Sequence, residues 1–216
     1  MSLVDDIGFV IFLLSIVGYF LFAITLNRRH VENRRTKLNR VYDKWVDMRI
    51  KAANHIVTVQ SERNFITTNS VFISGLLILL GLIVGFLNDG TFETNDYLFA
   101  LEEIPLFNVK MATNIGLIIY SLLNFMLSVR MHNRFTILIT ANPENICADE
   151  EDDLIGLDLM KNAFRYAQDR FFYGIKGVLF MIASLAWFFD AWFFIGITVG
   201  MIVYMIFFED IGVKIE

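Results

Sequence analysis

The chain has 216 residues, of which 56% are hydrophobic, and its mean hydropathy is +0.56. Soluble domains contain about 45–50% apolar residues, so this composition is typical of a membrane protein. The single cysteine, Cys147, excludes an intramolecular disulfide. The sequence contains no HExxH, GxSxG or P-loop motif and no paired-cysteine metal site. We therefore expect no enzyme, no cofactor or metal site, and no nucleic-acid partner.

Three apolar stretches contain no charged residue, and they lie at 7–26, 65–88 and 111–129. Each has about the 20 residues that a helix needs to cross about 30 Å of hydrocarbon. The first stretch is preceded by MSLVDD, which lacks the basic flank of a signal peptide, so we expect an uncleaved span. The sequence therefore predicts three full transmembrane helices, with the lipid bilayer as the surroundings.

The charged residues are sorted by segment, and this predicts the topology. Segment 27–64 contains ten Lys and Arg residues, whereas segment 89–110 contains only Lys110. Lys and Arg near span ends are retained on the cytoplasmic side. We therefore expect 27–64 and 130–170 to be cytoplasmic and 89–110 to be an outer loop. The chain is then a multi-pass protein of the plasma membrane with its N-terminus outside.

The last apolar block is roughly twice as long as one span and contains Asp190. A helix that enters from the cytoplasm reaches this residue after roughly 18 residues, or about 27 Å. Two short membrane helices, 172–188 and 191–208, would then form a hairpin with Asp190 at its outer tip. Trp187 and Trp192 flank it, as expected at an interface, and Asp is a good helix N-cap. One long kinked helix with Asp190 facing a cavity remains the alternative.

Segment 36–64 contains no Gly or Pro and runs into the second span. Its apolar residues recur at steps of three and four and form one helical stripe. The residues of this stripe are Leu38, Val41, Trp45, Met48, Ala52, Ile56 and Val59. We predict one long helix over 36–87 that extends the second span into the cytoplasm, with a basic opposite face. The stripe either packs on residues 145–170 or contacts another subunit, and the basic face either stays in water or binds anionic headgroups.

Two predicted spans carry a polar or small-residue face. On the third span the polar residues are Asn114, Ser121, Asn124 and Ser128. On the second span the residues are Thr67, Ser70, Ser74, Gly81 and Gly85, which include a GxxxG motif. Polar groups in hydrocarbon must find partners. These faces therefore either pack against each other or line a pore or polar cavity.

Arginines and amides cluster where three predicted helices meet the cytoplasm. They are Gln60, Arg63, Asn64, Arg130, Asn133, Arg134, Gln168, Asp169 and Arg170. They predict an anion or headgroup site, or a ring around a conduction path. The alternative is membrane anchoring with an arginine network around Asp169. The histidines His30, His55 and His132 are scattered, and we expect them to be surface or interface residues.

Three segments resemble the integral membrane family catalogued as domain of unknown function 599. They are VQSERNFITTNSVFISGLL at 59–77, VRMHNRFTILITANPE at 129–144 and RFFYGIKGVLFMIASLAWFFDAWFF at 170–194. The resemblance covers roughly residues 5–210 and implies a polytopic membrane protein, without any catalytic or binding residue to carry over. Members of the family often have Gly-Pro or His-Pro where this chain has Asp190-Ala191. A proline there implies a break between two helices.

Taken together, the sequence predicts an all-α polytopic membrane protein with a single domain over 1–216. We expect a homo-oligomer, because one copy offers few polar groups with which to build a path. The first functional hypothesis is an oligomeric channel or transporter for small ions. The second is a non-conducting scaffold, or a protein that binds anionic lipid or a partner through its basic cytoplasmic helix.

Overall fold

A computed structural model of the chain describes residues 3–28, 34–51, 56–88, 105–141 and 150–207. Within these ranges the chain forms six α-helices. They are α1 (Leu3–Arg28), α2 (Arg34–Lys51), α3 (Ile56–Asn88), α4 (Leu106–Thr140), α5 (Glu150–Ala186) and α6 (Ala191–Tyr204). The predicted outer loop lies almost entirely outside the described residues.

Three helices are long and apolar enough to cross a membrane, over Leu3–Phe22, Ile56–Phe86 and Leu106–Thr140. A shorter apolar helix covers Ala191–Phe207. These helices confirm the predicted all-α class and agree with a membrane protein. They extend beyond the predicted stretches because their charged flanking residues are helical as well.

The described chain divides into two compact units. The first contains 1–36, 78–120 and 176–216, and the second contains 37–77 and 121–175. Helices α3, α4 and α5 contribute residues to both units. The single domain predicted over 1–216 stays a prediction.

An aromatic cluster forms the core of the first unit. The ring of Phe12 on α1 lies 6.1 Å from that of Phe180 on α5 and 5.2 Å from that of Phe194 on α6. The buried indole of Trp187 is stacked between Phe9 and Phe194, with centroid distances of 5.5 and 4.9 Å. Aromatic pairs at such distances add to the free energy gained by burying their surface. The cluster therefore joins α1, the end of α5 and α6.

The helix is interrupted between α5 and α6. Helix α5 ends at Ala186 and α6 begins at Ala191. Asp190 has extended backbone angles, φ −161° and ψ 144°, and its carboxylate accepts hydrogen bonds from the backbone N–H groups of Trp192 and Phe193. These donors have no partner inside the helix, which is why an Asp at the N-cap stabilises the first turn. Asp190 is therefore the N-cap of α6, as its sequence position predicts.

Helix α2 packs on the chain in the second unit. Its buried Val46 belongs to an apolar cluster with residues of α4 and α5: Phe135, Ile139, Met160 and Phe164. Two ion pairs flank this cluster. The guanidinium of Arg165 donates two hydrogen bonds to the carboxylate of Asp43, and Lys161 lies 2.7 Å from Asp47.

The predicted single helix over 36–87 is wrong. The structure has α2 and α3 in its place, and residues 52–55 lie outside the described ranges. The ring of Trp45 lies 5.1 Å from Phe164, which is 6.0 Å from His132, and His132 stacks at 5.3 Å on Phe65. In a straight helix Trp45 and Phe65 would be about 30 Å apart. The apolar face of α2 is buried against α4 and α5.

The predicted apolar stripe on α2 is also displaced. Val41 and Met48 are 58% and 62% exposed, whereas Tyr42, Trp45 and Val46 form the packed face. Helix α2 therefore packs on the chain's own residues, which was one of the two alternatives for the stripe. Its packed face is rotated by about one residue from the predicted stripe. The exposed face keeps two apolar residues among its lysines.

Helices α4 and α5 approach closely at Gly174. The buried ring of Phe125 on α4 lies 5.0 Å from Phe72 and 5.8 Å from Phe171. A Cβ atom at Gly174 would lie 2.7 Å from this ring, which is less than atoms in contact allow. Moving the ring of Phe125 aside would disturb its contacts with Phe72 and Phe171.

We predict that Gly174→Ala lowers the free energy of unfolding, measured in mixed micelles with increasing denaturing detergent. Overpacking costs about 1–3 kcal/mol, which exceeds the gain of up to about 1 kcal/mol from helix propensity. Gly75→Ala on α3 is the matched control, because a Cβ there meets nothing within 4 Å. Equal stability of the two variants would contradict the close approach.

Candidate functional site

The polar stripe predicted on the third span lies on α4 and is buried. Asn114, Ser121 and Ser128 are fully buried, and Asn124 is 5% exposed. Asn114 belongs to the first unit and the other three residues to the second. The buried polar face thus continues over four turns of one helix.

The stripe makes its hydrogen bonds to α5 in each unit. In the first unit, the amide of Asn114 donates to the hydroxyl of Ser184 at 3.0 Å. In the second unit, the hydroxyl of Ser128 donates to the backbone carbonyl oxygen of Ala167 at 2.8 Å, and the guanidinium of Arg170 donates to the side-chain oxygen Oδ1 of Asn124 at 3.4 Å. The polar face of α4 is therefore covered by α5.

The small-residue face of α3 does not cover this stripe. All five of its residues are exposed: Thr67, Ser70, Ser74, Gly81 and Gly85. The hydroxyls of Thr67 and Ser70 donate to backbone carbonyls of their own helix, those of Arg63 and Ile66. The alternative in which the two faces pack against each other is thus not observed within one chain.

A buried pair of titratable side chains lies one turn beyond the stripe. Glu62 of α3 and His132 of α4 are both fully buried. Oε2 of the carboxylate lies 2.6 Å from Nδ1 of the imidazole. Phe65 stacks on the imidazole with an interplanar angle of 6°, and Phe164 contacts its edge. Both groups are therefore enclosed by aromatic rings in the second unit.

The sequence prediction missed this pair. His132 was expected at the surface, and Glu62 stands beside the exposed Arg63 in a charged segment. A signal was present, because His132 follows Ser128 by four residues on the same face of α4. On α3, Glu62 precedes Asn69 by seven residues, which is two turns, and Asn69 is also buried.

Several buried polar atoms in the second unit have no hydrogen-bond partner within the described part of the chain. They are Oε1 of Glu62, Nε2 of His132, Oγ1 of Thr58, Oδ1 of Asn69, Oγ of Ser121 and Nε2 of Gln168. Most buried polar groups in proteins are satisfied by protein or water. Such a concentration of unsatisfied groups in one unit is typical of a site that binds water or a polar ligand.

The predicted ring at the cytoplasmic edge is not assembled inside one chain. Six of its residues are exposed on α3 and α4: Gln60, Arg63, Asn64, Arg130, Asn133 and Arg134. On α5, Gln168 is buried, while Asp169 and Arg170 are half-buried. The guanidinium of Arg170 lies 4.5 Å from the ring centroid of Tyr166. The residues that α3 and α4 do bring together at this level are Glu62 and His132.

A buried lysine in the first unit was also missed. Lys176 lies on α5 and is 5% exposed. Its Nζ lies 4.8 Å from the centre of the Tyr19 ring on α1, in the geometry of a cation–π contact. Charged side chains inside a membrane segment are costly and commonly functional.

A polar cluster and a pocket lie near Asp190 in the first unit. Nζ of Lys110 donates to the carbonyl oxygen of Trp187 at 2.8 Å, and the indole N–H of Trp187 donates to Asp5 at 2.9 Å. The adjoining cavity of about 330 Å³ is also lined by Asp190 and Trp192. The tip of the predicted hairpin is thus linked to α1 and α4 by a cation and a carboxylate.

Tyr42 on α2 has a perturbed pKa. Burial among apolar side chains raises the pKa of its phenol above the usual value of 10.0, and the negative charge of Asp169 raises it further. Both causes disfavour the phenolate. The folded chain therefore holds this proton to higher pH than the unfolded chain does.

We predict that Tyr42→Phe makes stability less sensitive to alkaline pH. The contribution of Tyr42 to the free energy of unfolding is fully present below about pH 10 and is lost as the pH rises through the raised pKa of its phenol. Unfolding midpoints of the wild-type protein should thus fall more steeply above about pH 10 than those of the variant. Tyr204→Phe, at an exposed position, is the control and should follow the wild type. Identical slopes for all three proteins would contradict the assignment.

The fold and this set of buried polar residues define an all-helical membrane protein with titratable side chains in its interior. A family model matches residues 7–211, and the chain belongs to that family, which is described as protein of unknown function, DUF599. The resemblance inferred from the three segments is therefore confirmed. Comparison with curated proteins and with solved structures finds no match. Among the described residues, no three His, Cys, Asp or Glu side chains are grouped as metal ligands.

Proposed function

We propose that this protein transports small ions across the membrane as a homo-oligomer. The observation that carries the proposal is the line of buried polar side chains on α4 in the second unit, from Ser121 to His132, which ends at Glu62 of α3. A membrane helix gains nothing from burying hydroxyls, amides and an imidazole unless they serve packing or passage. Hydrogen bonds to α5 account for Asn114, Asn124 and Ser128, but not for the unpartnered hydroxyl of Ser121 or for the titratable pair.

A carrier fits this arrangement better than an open pore. The polar face of α4 contacts α5 of the same chain, so in this conformation it does not line a water-filled axis between subunits. Ions would cross by rearrangement of buried groups, with local openings towards one side of the membrane at a time. In the second unit, the buried carboxylate and imidazole offer both signs of charge to a passing ion.

The proposal includes the topology and the assembly. The protein lies in the plasma membrane, with its N-terminus and the Asp190 tip outside the cell and α2 in the cytoplasm. The exposed face of α3 supports assembly, because a Cβ atom at Gly81 or Gly85 would meet no other atom of the described residues within 4 Å. Small residues at such spacing let two helices approach closely.

We expect purified protein in liposomes to carry ions down an imposed gradient, measured with ion-sensitive dyes for H⁺, K⁺, Na⁺ and Cl⁻. Ser121→Ala and Asn124→Leu should reduce the flux about tenfold, the effect of losing about 1.4 kcal/mol from one polar contact. Thr25→Ala, at an exposed position on α1, is the control and should leave the flux unchanged. Flux no higher than in protein-free liposomes, for every ion, would overturn the proposal.

A second candidate function is binding of anionic lipid through α2. The exposed face of this helix carries Lys37, Lys44 and Lys51 together with Val41 and Met48. Basic residues interspersed with apolar ones are typical of helices that lie at an anionic membrane surface. The opposite face packs on α4 and α5, so the lysines are held in fixed positions.

We predict that the detergent-solubilised protein binds a fluorescent acidic phospholipid more tightly than a zwitterionic one of equal chain length. Replacing Lys37, Lys44 and Lys51 by Gln should weaken binding by about 1 kcal/mol per lysine and flatten its salt dependence. Lys161→Gln is the control, because this lysine is paired with Asp47. Equal affinity for the two lipids would contradict this role for α2.

A further inference from the structure

The pair formed by Glu62 and His132 has chemistry that packing does not explain. Both side chains are fully buried, and their facing atoms are 2.6 Å apart, which is short for a bond between nitrogen and oxygen. Phe65 covers one face of the imidazole, and the ring of Phe164 lies against its edge. An apolar pair of the same volume would fill this space without the cost of removing two titratable groups from water.

One shared proton makes this pair neutral. With that proton on Nδ1, a carboxylate faces an imidazolium, and with it on Oε2, a carboxylic acid faces an imidazole. Neither state places a net charge among the aromatic rings. Any gain or loss of a further proton creates a net charge in a medium that stabilises it poorly.

The surrounding charges do not fix the pair in one state. The charged and titratable groups on the packed helices include Tyr42, Asp43 and Asp47 of α2, Arg63 of α3, Arg130 and Arg134 of α4, and Lys161, Arg165 and Asp169 of α5. Asp43 and Asp47 are paired with Arg165 and Lys161. The three arginines of α3 and α4 are exposed, whereas the pair is enclosed. The neighbouring charges of α2 and α5 thus largely cancel each other.

The pair also has two atoms at which a proton can be exchanged. Oε1 of Glu62 and Nε2 of His132 are buried and have no hydrogen-bond partner in the described ranges. Two further polar atoms of α3 are buried without a hydrogen-bond partner in the described ranges. They are the hydroxyl of Thr58, one turn before Glu62, and the side-chain oxygen of Asn69, two turns after Glu62. Polar groups of this kind can hold the water molecules along which protons move.

We propose that Glu62 and His132 form a proton-binding site and that its ligand, H⁺, is coupled to the transport proposed above. From the state with carboxylate and imidazolium, a proton delivered by water adds to Oε1 of Glu62. The pair is then a carboxylic acid beside an imidazolium, with one positive charge. Loss of this proton to water restores the neutral pair, and no bond between heavy atoms forms or breaks. The coupling rests on the proposed function, whereas proton binding itself does not.

Proton binding is tested by infrared difference spectroscopy of the purified protein between neutral and acidic pH. We expect a C=O stretching band of a buried carboxylic acid that is lost in Glu62→Gln and shifted in His132→Gln. Asp190→Asn is the matched control, because it changes an exposed carboxylate and should keep the band. Should Glu62→Gln fail to fold, the wild-type band must move on ¹³C labelling of glutamate and not on labelling of aspartate. Absence of such a band, or its persistence in a folded Glu62→Gln variant, would overturn the proposal.

Coupling is tested separately in liposomes with an imposed pH gradient. Wild-type protein should acidify or alkalinise the lumen, and folded Glu62→Gln should do so at least about tenfold more slowly, while Asp190→Asn matches the wild type. The infrared band without flux of any ion would support the proton site and overturn the transport function. Ion flux that is unchanged in Glu62→Gln would leave the transport function standing and overturn the coupling.

Discussion

The interaction on which this structure depends is the coverage of the polar face of α4 by α5. Burying a polar group without a hydrogen-bond partner costs about 1–3 kcal/mol. The lipid hydrocarbon offers no such partner. Helix α5 supplies the hydroxyl of Ser184 to Asn114 in the first unit and the carbonyl of Ala167 to Ser128 in the second. At Ser121, α5 offers no such group. The buried hydroxyl of Ser121 has no hydrogen-bond partner among the described residues.

The apolar residues, by contrast, do not distinguish the inside of this protein from its outside. Leu14 on α1, and Val71 and Ile78 on α3, are each about two-thirds exposed. In water such residues would be buried, but lipid tails are as apolar as they are, so a membrane helix presents them outward without cost. On α4 the polar residues mark the buried face, whereas on α3 Glu62 and Asn69 are buried but Thr67, Ser70 and Ser74 are exposed.

This reversal explains what the sequence could and could not predict. The long apolar stretches predict α1, α3 and α4, and the chemistry of an Asp between two apolar runs predicts the cap at Asp190. The stripe on α2 was displaced, because apolar residues at Val41 and Met48 were assumed to face the protein, whereas they are exposed. Glu62 and Lys176 were missed because a charged residue near the end of an apolar stretch looks like an interfacial anchor. The burial of their side chains shows that they point inward.

The absence of a side chain at Gly174 has a mechanical consequence. The ring of Phe125 rests against the backbone of α5 at this one position, and Phe171 lies on the N-terminal side of the gap. A sliding motion of α5 along α4 would drive the ring into a neighbouring residue that has a Cβ atom. The contact therefore behaves as a pivot that resists axial displacement but permits a small change of crossing angle. We therefore expect α4 and α5 to rock rather than slide at the level of Gly174.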